Sequence, residues 1–84
     1  MDERPSEAIL RARELLGGNA NFCNVAAGIL IDAGALTKDS TAIQEGVDVF
    51  RNLCQRYPAV TSIQYNLANG LVTLADTTPF STID

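Results

Sequence analysis

The 84-residue chain has no histidine, no tryptophan, only two cysteines, and six Lys and Arg against ten Asp and Glu. Each shortage excludes a class of function. Without histidine there is no imidazole, the side chain used most often for proton transfer near neutral pH. Neither Cys23 nor Cys54 has a histidine to generate a thiolate, so neither is a good nucleophile. The two are not at metal-ligand spacing, and no P-loop or dinucleotide fingerprint occurs. No catalytic residue, metal or cofactor is expected, and the chain does not read as an enzyme. Six scattered cations in a chain of net charge −4 form no basic patch, which disfavours nucleic acid as a partner. The longest apolar run, Val25 to Leu36, is broken by Asp32 and falls below the ~20 residues of a membrane span, so no membrane partner is expected. The charged start Met1-Asp2-Glu3-Arg4-Pro5, with no apolar stretch behind it, lacks the form of a secretory signal. Free, buried cysteines in a reducing cytoplasm fit these features.

What the chain does have is helical periodicity. Four helices are expected, over 6–16, 20–35, 41–57 and 61–76, with 77–84 as a connector, all in one module spanning 1–84. In the first, Ala8, Ile9, Ala12, Leu15 and Leu16 share a face, and Glu7 and Arg11 pair opposite them. Gly17-Gly18 should stop this helix by adopting a left-handed backbone. The second is apolar almost all round, as expected of a helix buried on several sides, and Ala26, Ala27 and Gly28 should admit a close neighbour. Thr41-Ala42-Ile43-Gln44 has the form of a capping box opening the third helix. Its stripe runs Ile43, Gly46, Val47, Phe50, Leu53, Cys54, Tyr57, and Pro58 ends it. In the fourth, Ile63, Leu67, Leu71 and Leu74 lie beside Ala68, Val72 and Ala75. No charge occurs from Ala59 to Ala75, so this helix should be sandwiched or lie against something else. No strand signal competes.

A shift of 42 residues aligns Cys23-Asn24-Val25-Ala26-Ala27-Gly28-Ile29-Leu30 with Tyr65-Asn66-Leu67-Ala68-Asn69-Gly70-Leu71-Val72. Repeats of this length indicate stacked helical hairpins. The next helix of the second copy would begin near Ile83, so the chain reads as the N-terminal part of a longer protein.

Phe50 stands eight residues before Pro58, and the opening Tyr65-Asn66-Leu67-Ala68-Asn69 follows. This junction resembles the join between two tetratricopeptide repeats. Gly46 and Ala68 match that family's small residues at helix contacts, while Phe22, Val25, Ala26 and Ile29 match its first-helix positions. The spacing of 42 exceeds the family's ~34 by an insertion between Gly34 and Ser40, and HEAT-like repeats of ~40–47 residues also fit the length. Leu53 stands where the family has alanine.

The resemblance implies an all-α, right-handed array of antiparallel hairpins that acts as a protein–protein interaction scaffold. First-helix asparagines in that family bond a bound peptide, which makes Asn24, Asn66 and Asn69 the candidate partner-binding residues. A carboxamide suits the task because it donates and accepts at once. The groove between the helices starting at Ala20 and Thr61 would hold a peptide or helix, and with no Lys or Arg on those helices it would not clamp a carboxylate. Two other readings stay open: a helical sensor or regulatory domain of a multidomain enzyme, and a small protein that dimerises through its apolar faces. Asp32 is expected at a solvent-facing edge.

Overall fold

The computed structural model describes residues 4–77. They form four helices: α1 (Arg4–Leu15), α2 (Ala20–Thr37), α3 (Ser40–Arg56) and α4 (Thr61–Thr77). No strand occurs among the described residues, and the protein is an all-α packed bundle in which successive helices touch. Of the expected 77–84 connector only Thr77 is described, as the last residue of α4, and the rest lies outside the described residues.

α2 organises the bundle. It contacts α1, α3 and α4, as its all-round apolar sequence requires. Ala26, Leu30 and Ala33 pack with Ile9 and Ala12 of α1 and Ala42 of α3. One residue further round, Ala27 and Ile31 pack with Ile43, Val47, Phe50 and Leu53 of α3 and Ile63 of α4. α2 is 18 residues long with a mean hydropathy of 1.3, and by length and composition it meets the requirement for crossing a membrane. This corrects the expectation that the apolar run is too short. The three helices packed around α2 cover Ala26, Ala27, Leu30, Ile31 and Ala33, while Phe22, Val25 and Leu36 remain exposed.

The helix ends depart from the expected chemistry. No glycine takes a positive φ. α1 closes instead with three successive short-turn bonds, Leu16 N–H to Arg13, Gly17 N–H to Glu14 and Gly18 N–H to Leu15. The left-handed residue is Lys38, at φ 59° and ψ 35°. Its N–H donates to the Ala35 carbonyl at 3.4 Å and that of Asp39 to the Gly34 carbonyl at 2.8 Å, the two bonds of a Schellman closure. Asp39 then opens α3, its carboxylate accepting from the Ala42 N–H at 3.1 Å. A single residue therefore ends one helix and starts the next, and Thr41 and Gln44 form no capping box. Gln44 donates to Asp48 instead. Asn19 caps α2 by accepting from Phe22 N–H at 3.0 Å. The end of α3 follows the proline rule: Tyr57 leaves the helical region, with φ −132° and ψ 64°.

The tight α2–α3 turn brings the two helices together through glycine. A Cβ at Gly46 would stand 2.7 Å from the Ala27 carbonyl oxygen, and one at Gly34 would stand 2.8 Å from Ile43 Cγ1. Arg13 and Glu45 tie α1 to α3 in a forked ion pair, with Nε 3.0 Å from Oε2. The hydrogen bond to Glu45, and secondarily its charge, raise the Arg13 pKa against the lowering by burial. The Glu7–Arg11 pair forms as expected, at 3.1 Å on the surface.

α4 is not sandwiched by the described residues. It rests on α3 and α2 by one face, Ile63, Leu67, Gly70 and Leu74, at helical spacing. Tyr65, Leu71 and Val72 are exposed, as are Ala68 and Ala75. The bundle is a slab 36 × 33 × 16 Å, thin enough to leave a helix at its edge half covered.

Candidate functional site

α2 and α4 border a groove of about 560 Å³. From α2, Asn24, Gly28 and Asp32 face it at four-residue steps, which places them on one side of that helix. From α4 come Asn66, Asn69 and Thr73, again at helical spacing. Ile31 and the ring of Phe50, only 2 % exposed, close the bottom. Gly70 lets α4 approach: a Cβ there would be 2.7 Å from Ile31 Cδ1 and 3.1 Å from Val47 Cγ2. Gly28 has the opposite role. A Cβ there would meet nothing within 4 Å, so the missing side chain leaves the groove open.

The three asparagines named from the sequence thus border one groove from two helices. Among the described residues none of their carboxamides hydrogen-bonds to a protein group, and the Asn24 Oδ1 is buried without a donor. Leaving such an oxygen unpaired costs about 1–3 kcal/mol. The Thr73 hydroxyl is already committed to the Asn69 carbonyl at 2.9 Å. No Lys or Arg lines the groove, and Asp32 supplies its one charged group. Asp32 is exposed, as expected, and takes part in no ion pair among the described residues.

The other residues singled out by repeat position divide into two groups. Ala26, Gly46 and Phe50 are buried at helix contacts, and Leu67 is half-buried against the core. Pro58 lies exposed in the α3–α4 turn, where its carbonyl accepts from Gln64 Nε2 at 2.8 Å. Phe22 is 50 % exposed, its ring against the Gly18 backbone, and Ala68 faces solvent. Tyr57, placed on the apolar stripe of α3, is also exposed and carries the Arg56 guanidinium 5.9 Å above its ring. Among the described residues no helix covers these three. Both cysteines are free and half-buried rather than fully buried, and the Cys23 thiol donates to the Leu16 carbonyl at 3.4 Å.

Sequence reasoning missed the part Gly28 and Asp32 play in the groove. Gly28, expected at a helix contact, faces open space, and Gly34 and Gly46 make the close contacts instead. The signal was present, since both follow Asn24 at steps of four. Among the described residues no group of three His, Cys, Asp or Glu side chains is arranged to hold a metal ion. No family model, curated protein or solved structure matches the chain.

Proposed function

We propose that this chain is a tetratricopeptide-like interaction module, a right-handed array of helical hairpins that holds a peptide or helix of another protein in the α2–α4 groove. The observation that carries the reading is the convergence of Asn24, Asn66 and Asn69 on one groove with their carboxamides unspent on protein groups. A fixed scaffold of this kind binds by shape and backbone hydrogen bonds and performs no chemistry, in keeping with a chain that has no histidine and no activated thiol. We read it as a non-enzymatic, soluble, cytoplasmic protein without a cofactor. Replacing Asn66 and Asn69 together by alanine removes two carboxamides from one wall of the groove, and Asn69 is an exposed position. Titration of the purified double variant against a partner peptide is expected to show at least tenfold weaker binding with unchanged helix content by circular dichroism. Unchanged affinity would refute the assignment.

A second reading is self-association, favoured by the exposed Tyr65, Leu71 and Val72 on α4. Sedimentation velocity at rising protein concentration decides between them: a concentration-dependent dimer abolished by Tyr65→Ser plus Val72→Ser supports it, and a monomer throughout removes it.

A further inference from the structure

The α2 wall of the groove is a ladder whose rungs differ in chemistry. Asn24, Gly28 and Asp32 follow at four-residue steps, so the rungs are about 6 Å apart and the outer two about 12 Å apart along the helix. The first rung offers a buried oxygen that lacks a donor. The second offers open space where a side chain would stand. The third offers an exposed carboxylate with no ion-pair partner among the described residues. No lining residue is cationic, so the groove repels a carboxylate and attracts a cation, as does the chain as a whole with its net charge of −4.

On the footing of the peptide-binding reading above, we propose that the occupant is an extended protein segment bearing a Lys or Arg that pairs with Asp32. A backbone N–H of the same segment faces the Asn24 carboxamide, and a side chain between them fills the space over Gly28. Extended backbone rises about 3.3 Å per residue, so ~12 Å corresponds to three or four residues between the amide at Asn24 and the basic residue at Asp32. The recognised feature is therefore internal to the segment and needs no free C-terminus.

The test probes the labelled 84-residue protein with a positional-scanning array of nine-residue peptides blocked by acetyl and amide groups. Wild type is expected to select Lys or Arg at one position. The selected peptide should bind Asp32→Asn about three- to fivefold more weakly, as for a partly exposed ion pair, and Asp32→Lys should select Asp or Glu at the same position. Gly28→Leu fills the groove at a point where a Cβ meets nothing, and should abolish binding of every peptide while circular dichroism shows a folded chain. If wild type selects no basic residue, or Asp32→Lys keeps the wild-type selection, the cation pairing is wrong; loss of binding in Gly28→Leu would then still support the groove. Binding that survives Gly28→Leu overturns the groove reading itself, and an array with no signal above background overturns both.

Discussion

The two copies of the Asn-x-x-x-Gly pattern, Asn24 to Gly28 in α2 and Asn66 to Gly70 in α4, occupy opposite environments. Gly70 is buried, and a methyl group there would press on Ile31 and Val47. Gly28 looks into open groove. The alanines within the copies diverge as well, Ala26 being fully buried and Ala68 exposed. α2 has helices on three sides, whereas α4 rests on the slab by one face. The same local pattern thus seals a helix contact in one copy and leaves a groove open in the other. A sequence repeat records what kind of helix is made, and the neighbours decide what each of its small residues does.

The largest test of this contrast is Gly70→Val against Gly28→Val. At position 70 the β-branched side chain must displace Ile31 and Val47, and overpacking of this kind costs about 1–3 kcal/mol. Urea unfolding is expected to show that loss, with α4 amides exchanging hydrogen first. The same change at 28 should lie within ~0.5 kcal/mol of wild type, since valine and glycine differ little in helix propensity and nothing is displaced. Equal losses at the two sites would erase the contrast.

Next in size is the turn that closes the first copy. Lys38 holds a left-handed backbone that disfavours any residue with a Cβ, so Lys38→Gly should raise stability by about 1 kcal/mol in the same assay. A drop would mean that the Lys38 side chain matters more than its backbone. Gly28→Ala is expected to stabilise by about 0.5–1 kcal/mol, the helix-propensity gain alone, and thermal unfolding resolves it as a higher midpoint. The smallest effect lies outside both copies. A double-mutant cycle on Arg13 and Glu45, both partly exposed, should give a coupling of no more than about 1 kcal/mol, falling as salt is raised.

Much of the fold was legible because helix-forming signals are local. All four helices lie within two residues of the boundaries read from periodicity, and the stripe Ile43, Val47, Phe50, Leu53 is buried as read. The errors concern what lies across from a residue. The pair Gly17-Gly18 offered a left-handed stop, yet α1 closes with short-turn bonds. Lys38 takes the left-handed conformation because α2 and α3 are joined by two residues and pack through Gly34 and Gly46, leaving the chain one tight route between them. Phe22, Tyr57 and Ala68 fall on faces that periodicity marks as apolar or as contacts, but no helix among the described residues reaches those faces. Asn24 and Asn66 recur under the 42-residue shift and Asn69 was marked by the tetratricopeptide resemblance, whereas Asp32 and the open space over Gly28 border the groove only once α4 lies beside α2.

Apolar residues at helical spacing and the proline after Tyr57 were therefore enough to define four helices. These signals act over a few residues, within reach of the backbone's own hydrogen bonds. Packing decided that Gly70 is closed and Gly28 open, and that the Asn24 oxygen is buried without a donor among the described residues. Those features depend on residues some forty positions apart meeting across a groove, and helical periodicity contains no information about which helices become neighbours.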